Sequence, residues 1–525
     1  MTAGARKTGT TEIAVATTSA LAAEAALDVQ DRGGNAVDCA LAASLLTMNT
    51  EPGVCALAGG AYVTVWGPDT DPVTIDGNVA VPGSGLAEHE RRRGAESVSM
   101  DYGGGIETLV GAGSVGVPGS LAAVESAWRR FGRADWADLL APSIAAARDG
   151  FPLSSACHYY LGYSGASVFG RSRDGFDALH RSDGSLRAAN ETIRVPHLAD
   201  SLGAIAEEGA AAFYQGDVAR RIVDHVRAGN GMLTHDDMRS YAALVRPALT
   251  VRIGNWRIAS NPPPAIGGTV LAAMLEAFAK TRHRSWNTAA LADLIDIQHA
   301  CLDYRREHLD LAEDSGEAAA RLLELATGGR LLSRYASAST VHTSAVDDSG
   351  LGCAITASSG YGSGEMPEGT GLWLNNCLGE LELNRRGLDA GPVGSRLPSN
   401  MAPTVCRSTE PGSERAVLAA GSPGADRITT ALLQALVGRF IFEWPLEQAI
   451  AHPRLHVDTS GANDRLMAEP GLELPETALP QTVFDTPSMY FGGVAAAHYD
   501  GDGRFALAAD PRREGGAARS ADACS

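Results

Sequence analysis

Lysine is almost missing from this chain: Lys7 and Lys280 are the only two among 525 residues, so nearly all of the 43 Lys and Arg are arginine. That bias reads as codon usage and carries no mechanism. Basic charge is also in deficit, with 62 Asp and Glu giving a formal net charge of -19. Nucleic acid and anionic membrane surfaces both demand a basic face, so neither is expected as a partner. The eight cysteines, Cys39, Cys55, Cys157, Cys301, Cys353, Cys377, Cys406 and Cys524, never approach C-x-x-C spacing, which signals neither a zinc site nor a redox motif. No metal or cofactor is expected. The start "MTAGARKTGTTEIAVATTSALAAEAALDV" lacks an uninterrupted apolar stretch, and no later run is long enough to span a bilayer, so a cytoplasmic location is expected. No G-x-S-x-G elbow raises one serine above the others, and no Ser-His-Asp triad is legible. "GAGSVG", from Gly111 to Gly116, satisfies a dinucleotide fingerprint, but Pro118 and Gly119 follow where its helix should be running.

What is present is a globular composition, 45% hydrophobic and 20% charged with 60 glycines, on a chain long enough for one extended layered core. "ALAAEAALDVQDRGG" reads as a helix closed by Gly33 and Gly34. "NAVDCALAASLLTMN" reads as a second, nearly all-apolar helix with Asn35 as its N-cap. "GGAYVTVWG" and "PVTIDG" are strands, and "SLAAVESAWRRFG", "DWADLLAPSIAAARDG" and "LADSLGAIAEEGAAAFYQG" are amphipathic helices. Strands return around "LTVRIGNWRIAS". "RAVLAAGSPGADRITTALLQALVGRF" is strand, turn and helix, and "GGVAAAHYD" and "GRFALAAD" are short strands. The irregular stretch from Arg385 to Arg396 is expected to be an active-site loop.

The candidate chemistry lies two-thirds along the chain. After the polar patch "ATGGRLLSRYASAS", the runs "VHTSAVDD" and "LGCAITAS" form a hairpin across "DDSG", and Thr340 stands immediately before its first strand. An internal Thr is a poor nucleophile. A Thr at a new N-terminus carries its own α-amino group, whose pKa near ~8 makes it a base within reach of the hydroxyl. The turn "GSPGAD" lacks the Lys-Ser/Thr of a phosphate loop, yet a tight strand-to-helix turn presents backbone N–H groups that can stabilise an oxyanion. His342 is a candidate base or a structural strand histidine.

The blocks "TSALAAEAALDVQDRGGNAVDCALAASL", "VGVPGSLAAVESAWRRFGRADWADLLAPSIAAARDGFPLS", "GSPGADRITT", "AHPRLHVD" and "ADPRREGGAA" together resemble the γ-glutamyltransferase family of N-terminal nucleophile hydrolases, from about Ser19 to Ala518. The resemblance implies an α+β fold, a four-layer αββα sandwich. It also implies a precursor that cuts itself between Ser339 and Thr340 into a large chain, 1–339, and a small chain, 340–525, which stay associated as one intertwined domain. Thr340 is then the nucleophile and Ser358 the hydroxyl residue supporting it. Gly424 and Ala425 match the glycine pair whose N–H groups form the oxyanion hole.

The departures cluster where the family grips glutamate. Asn78 stands where an Arg holds the donor α-carboxylate, a loss of about 1.5 to 3 kcal/mol of charge-assisted contact. Glu380 replaces the Asp that binds the donor amine and Cys377 replaces a Gln. Ser399 matches the first of a Ser-Ser pair whose second place is Asn400. The stretch between Glu380 and Ser399 is shorter than in relatives carrying a lid, which implies a pocket open to a bulkier ligand. Three readings follow: an acyl hydrolase or transferase for a small molecule other than a γ-glutamyl compound; a relative that cleaves a carbon–carbon bond in a pathway building alkylproline units of antibiotics; or an uncut, non-enzymatic binding or scaffold protein.

Overall fold

The computed structural model describes residues 11–91, 94–101, 105–312, 314–328, 340–459, 463–513 and 515–520. Ser339, most of the polar patch before it, Lys7 and Cys524 lie outside them. Two antiparallel sheets form the middle of the molecule. Among the described residues the first sheet has seven strands, in the order Gly516–Arg519, Ile13–Thr17, Val341–Asp347, Gly352–Ser358, Gly60–Trp66, Val73–Gly77 and Leu244–Pro247. The second has six: Phe505–Ala509, Ala495–Tyr499, Val417–Gly421, Thr404–Ser408, Trp256–Ser260 and Leu249–Ile253.

Helices cover the outer face of each sheet. Ala36–Thr50 packs on the two central hairpin strands of the first sheet, and Ala20–Asp31 lies on its Gly516–Arg519 edge. Every residue of Ala36–Thr50 is buried, including the polar Asp38 and Asn49, and Asn35 caps it by accepting from the N–H groups of Val37 and Asp38. Helices Gly267–Thr281 and Arg427–Phe440 cover the second sheet. The expected four-layer αββα sandwich is therefore present. One expected helix differs: "LADSLGAIAEEGAAAFYQG" forms two, Leu198–Glu208 and Ala211–Tyr214, because Gly209 takes φ +76° and ends the first. "GAGSVG" makes a short 3₁₀ turn over Ala112–Ser114, and the next helix begins only at Ser120.

Period-two alternation decides what each face of the Val341–Asp347 strand meets. Val341 and Ala345 join the core beneath the first helical layer, while Val346 joins the small core between the sheets with Ala14, Ala354, Ala419 and Ala497. Alanine on both sides lets the sheets approach closely. At one end the approach is closer still, because a methyl group on Gly421 of the second sheet would overlap the ring of His342 on the first. Substituting Gly421→Ala should destabilise the fold by about 1–3 kcal/mol through overpacking, read as a lower urea midpoint with an unchanged slope. An unaltered midpoint would show that the sheets separate there without cost.

Candidate active site

Thr340 is 2% exposed and sits at the mouth of the inter-sheet space. The hairpin register pairs Val341 with Ala357 and His342 with Thr356, which carries Thr340 opposite Ser358 on the neighbouring strand. His342 is fully engaged: Nδ1 lies 2.8 Å from the Thr356 hydroxyl and Nε2 lies 2.8 Å from that of Ser344. Burial holds its pKa down to about 3. It is a neutral strut between the sheets, with no ring nitrogen left to act on Thr340.

The second sheet delivers the other half of the site. Strand Val417–Gly421 ends in the turn 422–426, from which helix Arg427–Phe440 departs. Gly424 takes φ +116°, and a methyl there would come within 2.9 Å of Gly492 Cα, so conformation and space both require glycine. Ala425 takes φ +60°, a left-handed conformation that costs a non-glycine residue about 1 kcal/mol or more. Among the described residues, the amide N–H groups of Gly424 and Ala425 donate to no acceptor.

One cavity gathers Thr340, Ser358 and Ala425 with Asn78, Cys377, Glu380, Ser399 and Asn400; Gly424 stands directly behind Ala425 and outside the lining. Its volume is about 20 Å³, room for roughly one water molecule. This is narrower than the open pocket that the resemblance implies. Leu383, Asn384, Leu397 and Pro398, which flank the irregular stretch from Arg385 to Arg396, line it, and no residue of that stretch does.

Two of the predicted contact residues are already committed. Asn78 donates from Nδ2 to the Leu397 carbonyl at 2.8 Å and accepts the Tyr241 hydroxyl at its own carbonyl, 2.5 Å away. It fastens the wall of the cavity where the resemblance implies an arginine. Asn400 donates to the Asp426 carboxylate, which also accepts from Arg305 Nη1 at 2.5 Å. Arg305 reaches Asp310 through Nε at 2.8 Å, and all three side chains are at most 2% exposed. Sequence reasoning missed this network, whose members lie 121 residues apart and carry no shared motif. It fixes the turn that presents Ala425. Ser399 accepts from the Met401 N–H at 3.2 Å, and its carbonyl accepts from Ile266 and Gly267.

The cavity's electrostatics are one-sided. Among the described residues, its lining holds Glu380 and Cys377 as ionisable groups and neither Lys nor Arg. Burial, then the nearby Glu382 and Asp426, push the Glu380 carboxyl well above the usual carboxylate range, and one of its oxygens has no hydrogen-bond partner among the described residues. Burial, then Glu380, likewise keeps Cys377 a thiol. Glu382, also missed from sequence, accepts the Tyr361 hydroxyl at 2.5 Å and is pushed up to about 7 by burial, against the lowering effect of that bond and of Arg427.

The late motifs meet away from the cavity. Arg454 of "AHPRLHVD" reaches Asp510 of "ADPRREGGAA" at 2.7 Å; Arg512 bonds Asp510 at 3.0 Å and Glu469 at 2.7 Å. Burial opposes ionisation of Asp510, and the two guanidiniums overcome it, holding its carboxyl below the usual range. These motif residues are structural.

The model of the gamma-glutamyltranspeptidase family matches residues 22–520. The glutathione hydrolase proenzyme of Pseudomonas aeruginosa is 28% identical over 481 residues, spanning 84% of this chain and 82% of that relative. Among solved structures, cephalosporin acylase from Bacillus halodurans superposes with a TM-score of 0.75 at 21% identity, covering 98% of this chain and 97% of that one. LmbA2991HD superposes with a TM-score of 0.72 at 19% identity, covering 99% and 100%. The protein thus belongs to the gamma-glutamyltranspeptidase family.

Proposed function

We propose that this chain is a self-processing acyl hydrolase or transferase whose nucleophile is Thr340, acting on a small-molecule amide other than an ordinary γ-glutamyl compound. The observation that carries the reading is the single cavity that brings Thr340 together with Ser358 and the Ala425 turn. In the uncut chain the Thr340 hydroxyl attacks the Ser339 carbonyl to give an ester, which water splits. The large and small chains remain assembled. The freed α-amine then takes the proton of the Thr340 hydroxyl as it attacks a substrate amide. The N–H groups of Gly424 and Ala425, which donate to no acceptor among the described residues, would receive the oxyanion. The departing amine takes the proton, and water or a second amine resolves the acyl-enzyme.

Specificity follows from charge. A carboxylate in the acyl part would meet no cation in this cavity, whereas a protonated amine would meet Glu380 and ionise it, pairing two groups that are costly to bury alone. The acyl part is therefore one with an amine and without the α-carboxylate of glutamate.

Denaturing mass spectrometry of the purified protein should show two fragments meeting at Ser339 and Thr340, and Thr340→Ala should leave one chain of 54.5 kDa. A wild-type chain that stays whole would favour a binding or scaffold protein, and fragments from the alanine variant would point to an outside protease. Turnover of a γ-glutamyl anilide should fall roughly 10- to 100-fold short of an anilide with an amine-bearing, carboxylate-free acyl group, the deficit of one charge-assisted contact. Glu380→Gln should erase the advantage of the amine-bearing substrate. Processing without turnover of any amide would shift the choice to carbon–carbon bond cleavage.

A further inference from the structure

Beyond Pro398, which lines the catalytic cavity, lies a second cavity of about 360 Å³, within the range of small-molecule sites. Pro398 lines both, and Ile266 on its wall donates its N–H to the Ser399 carbonyl of the first. One strip of chain thus divides the two spaces. Leu244, Ile266, Leu309 and Pro392 give the larger one apolar walls, and Arg246, Arg386 and Arg396 line it as well.

The charges do not balance. Arg246 Nε lies 3.0 Å from one oxygen of the fully buried Asp76 and Arg396 Nε lies 3.6 Å from the other, so two guanidiniums share one carboxylate. The Arg396 side chain is 9% exposed, stacks 4.2 Å over the Tyr241 ring, and has no hydrogen-bond acceptor for Nε among the described residues. Arg386 donates to the carbonyls of Leu311 and Ala312 and meets no carboxylate among the described residues. Asp310, the acid lining this cavity, is answered by Arg305 at 2.8 Å and Arg385 at 3.5 Å. Among the described residues, positive charge is left over in a space with apolar walls, beside a catalytic cavity whose lining holds no cation.

We infer that this groove binds a carboxylate carried on an apolar body, in a space set apart from Thr340 by one strip of chain. Planar guanidiniums match a carboxylate through paired N–H donors, which a neutral amide cannot use in the same way.

Calorimetric titration of the intact protein with 4-phenylbutyrate tests it, with 4-phenylbutyramide and inorganic phosphate as controls. The carboxylate should bind at least tenfold more tightly than either control. Arg386→Gln should weaken it at least tenfold, and Arg246→Gln should do so as well. If Arg246→Gln unfolds through loss of the Asp76 contact, the Arg386 variant decides alone, because it gives up only carbonyl contacts. Equal binding of the amide or of phosphate, or unchanged affinity in Arg386→Gln, would overturn the inference. The same titration on Thr340→Ala should match wild type. Failure of binding with processing and turnover intact would therefore sink the groove alone, and binding without any acyl-enzyme would sink the catalytic reading alone.

Discussion

The contact between the His342 ring and the bare α-carbon of Gly421 sets the geometry on which the site depends. It joins the two sheets with no room for a methyl group between them. His342 is two residues from Thr340, and Gly421 is four from Ala425, so one contact fixes the spacing between hydroxyl and amide turn. The ring can fill this role because it stays neutral: burial strips it of its proton, and Thr356 and Ser344 occupy its two nitrogens. A histidine that was a candidate base is instead the gauge between two layers.

Around that contact the polar groups sort by sign. Carboxyl groups dominate the interior: Glu380 and Glu382 are pushed up by burial, and Asp426 is answered by Arg305 from outside the cavity. Cations lie one strip of chain farther out. Asn78, neutral and tied to Leu397, stands between the two zones. Where the resemblance implies a cation, an amide ties the wall to Leu397.

The elements and their layering were legible in the sequence because period and punctuation carry them. Asn35 as a cap, the hairpin across residues 347–352 and the strand, turn and helix around Gly424 all follow from local chemistry that survives packing. Gly209 interrupted a helix that apolar spacing alone extends through it. Side-chain commitments were not legible. Asn400 turns to Asp426 because a guanidinium from a helix 121 residues away has already brought that carboxylate into the core. "AHPRLHVD" and "ADPRREGGAA" look like site motifs by their density of charge, yet Arg454, Asp510 and Arg512 satisfy one another in the interior. Charge density marks places where burial must be compensated, and only some of those places touch substrate.

The strand order of the first sheet has a mechanical consequence. Ile13–Thr17 lies between Gly516–Arg519 and Val341–Asp347, hydrogen-bonded to both along its length. A break before Thr340 would leave one piece gripping a strand of the other from both edges. Dilution would not part such a pair, since separation requires stripping two ladders from the middle of a sheet. The nicked molecule should melt as one cooperative unit, and once melted its halves must find each other by bimolecular encounter. Cutting would thus convert a chain that refolds by itself into an assembly held by its folding history.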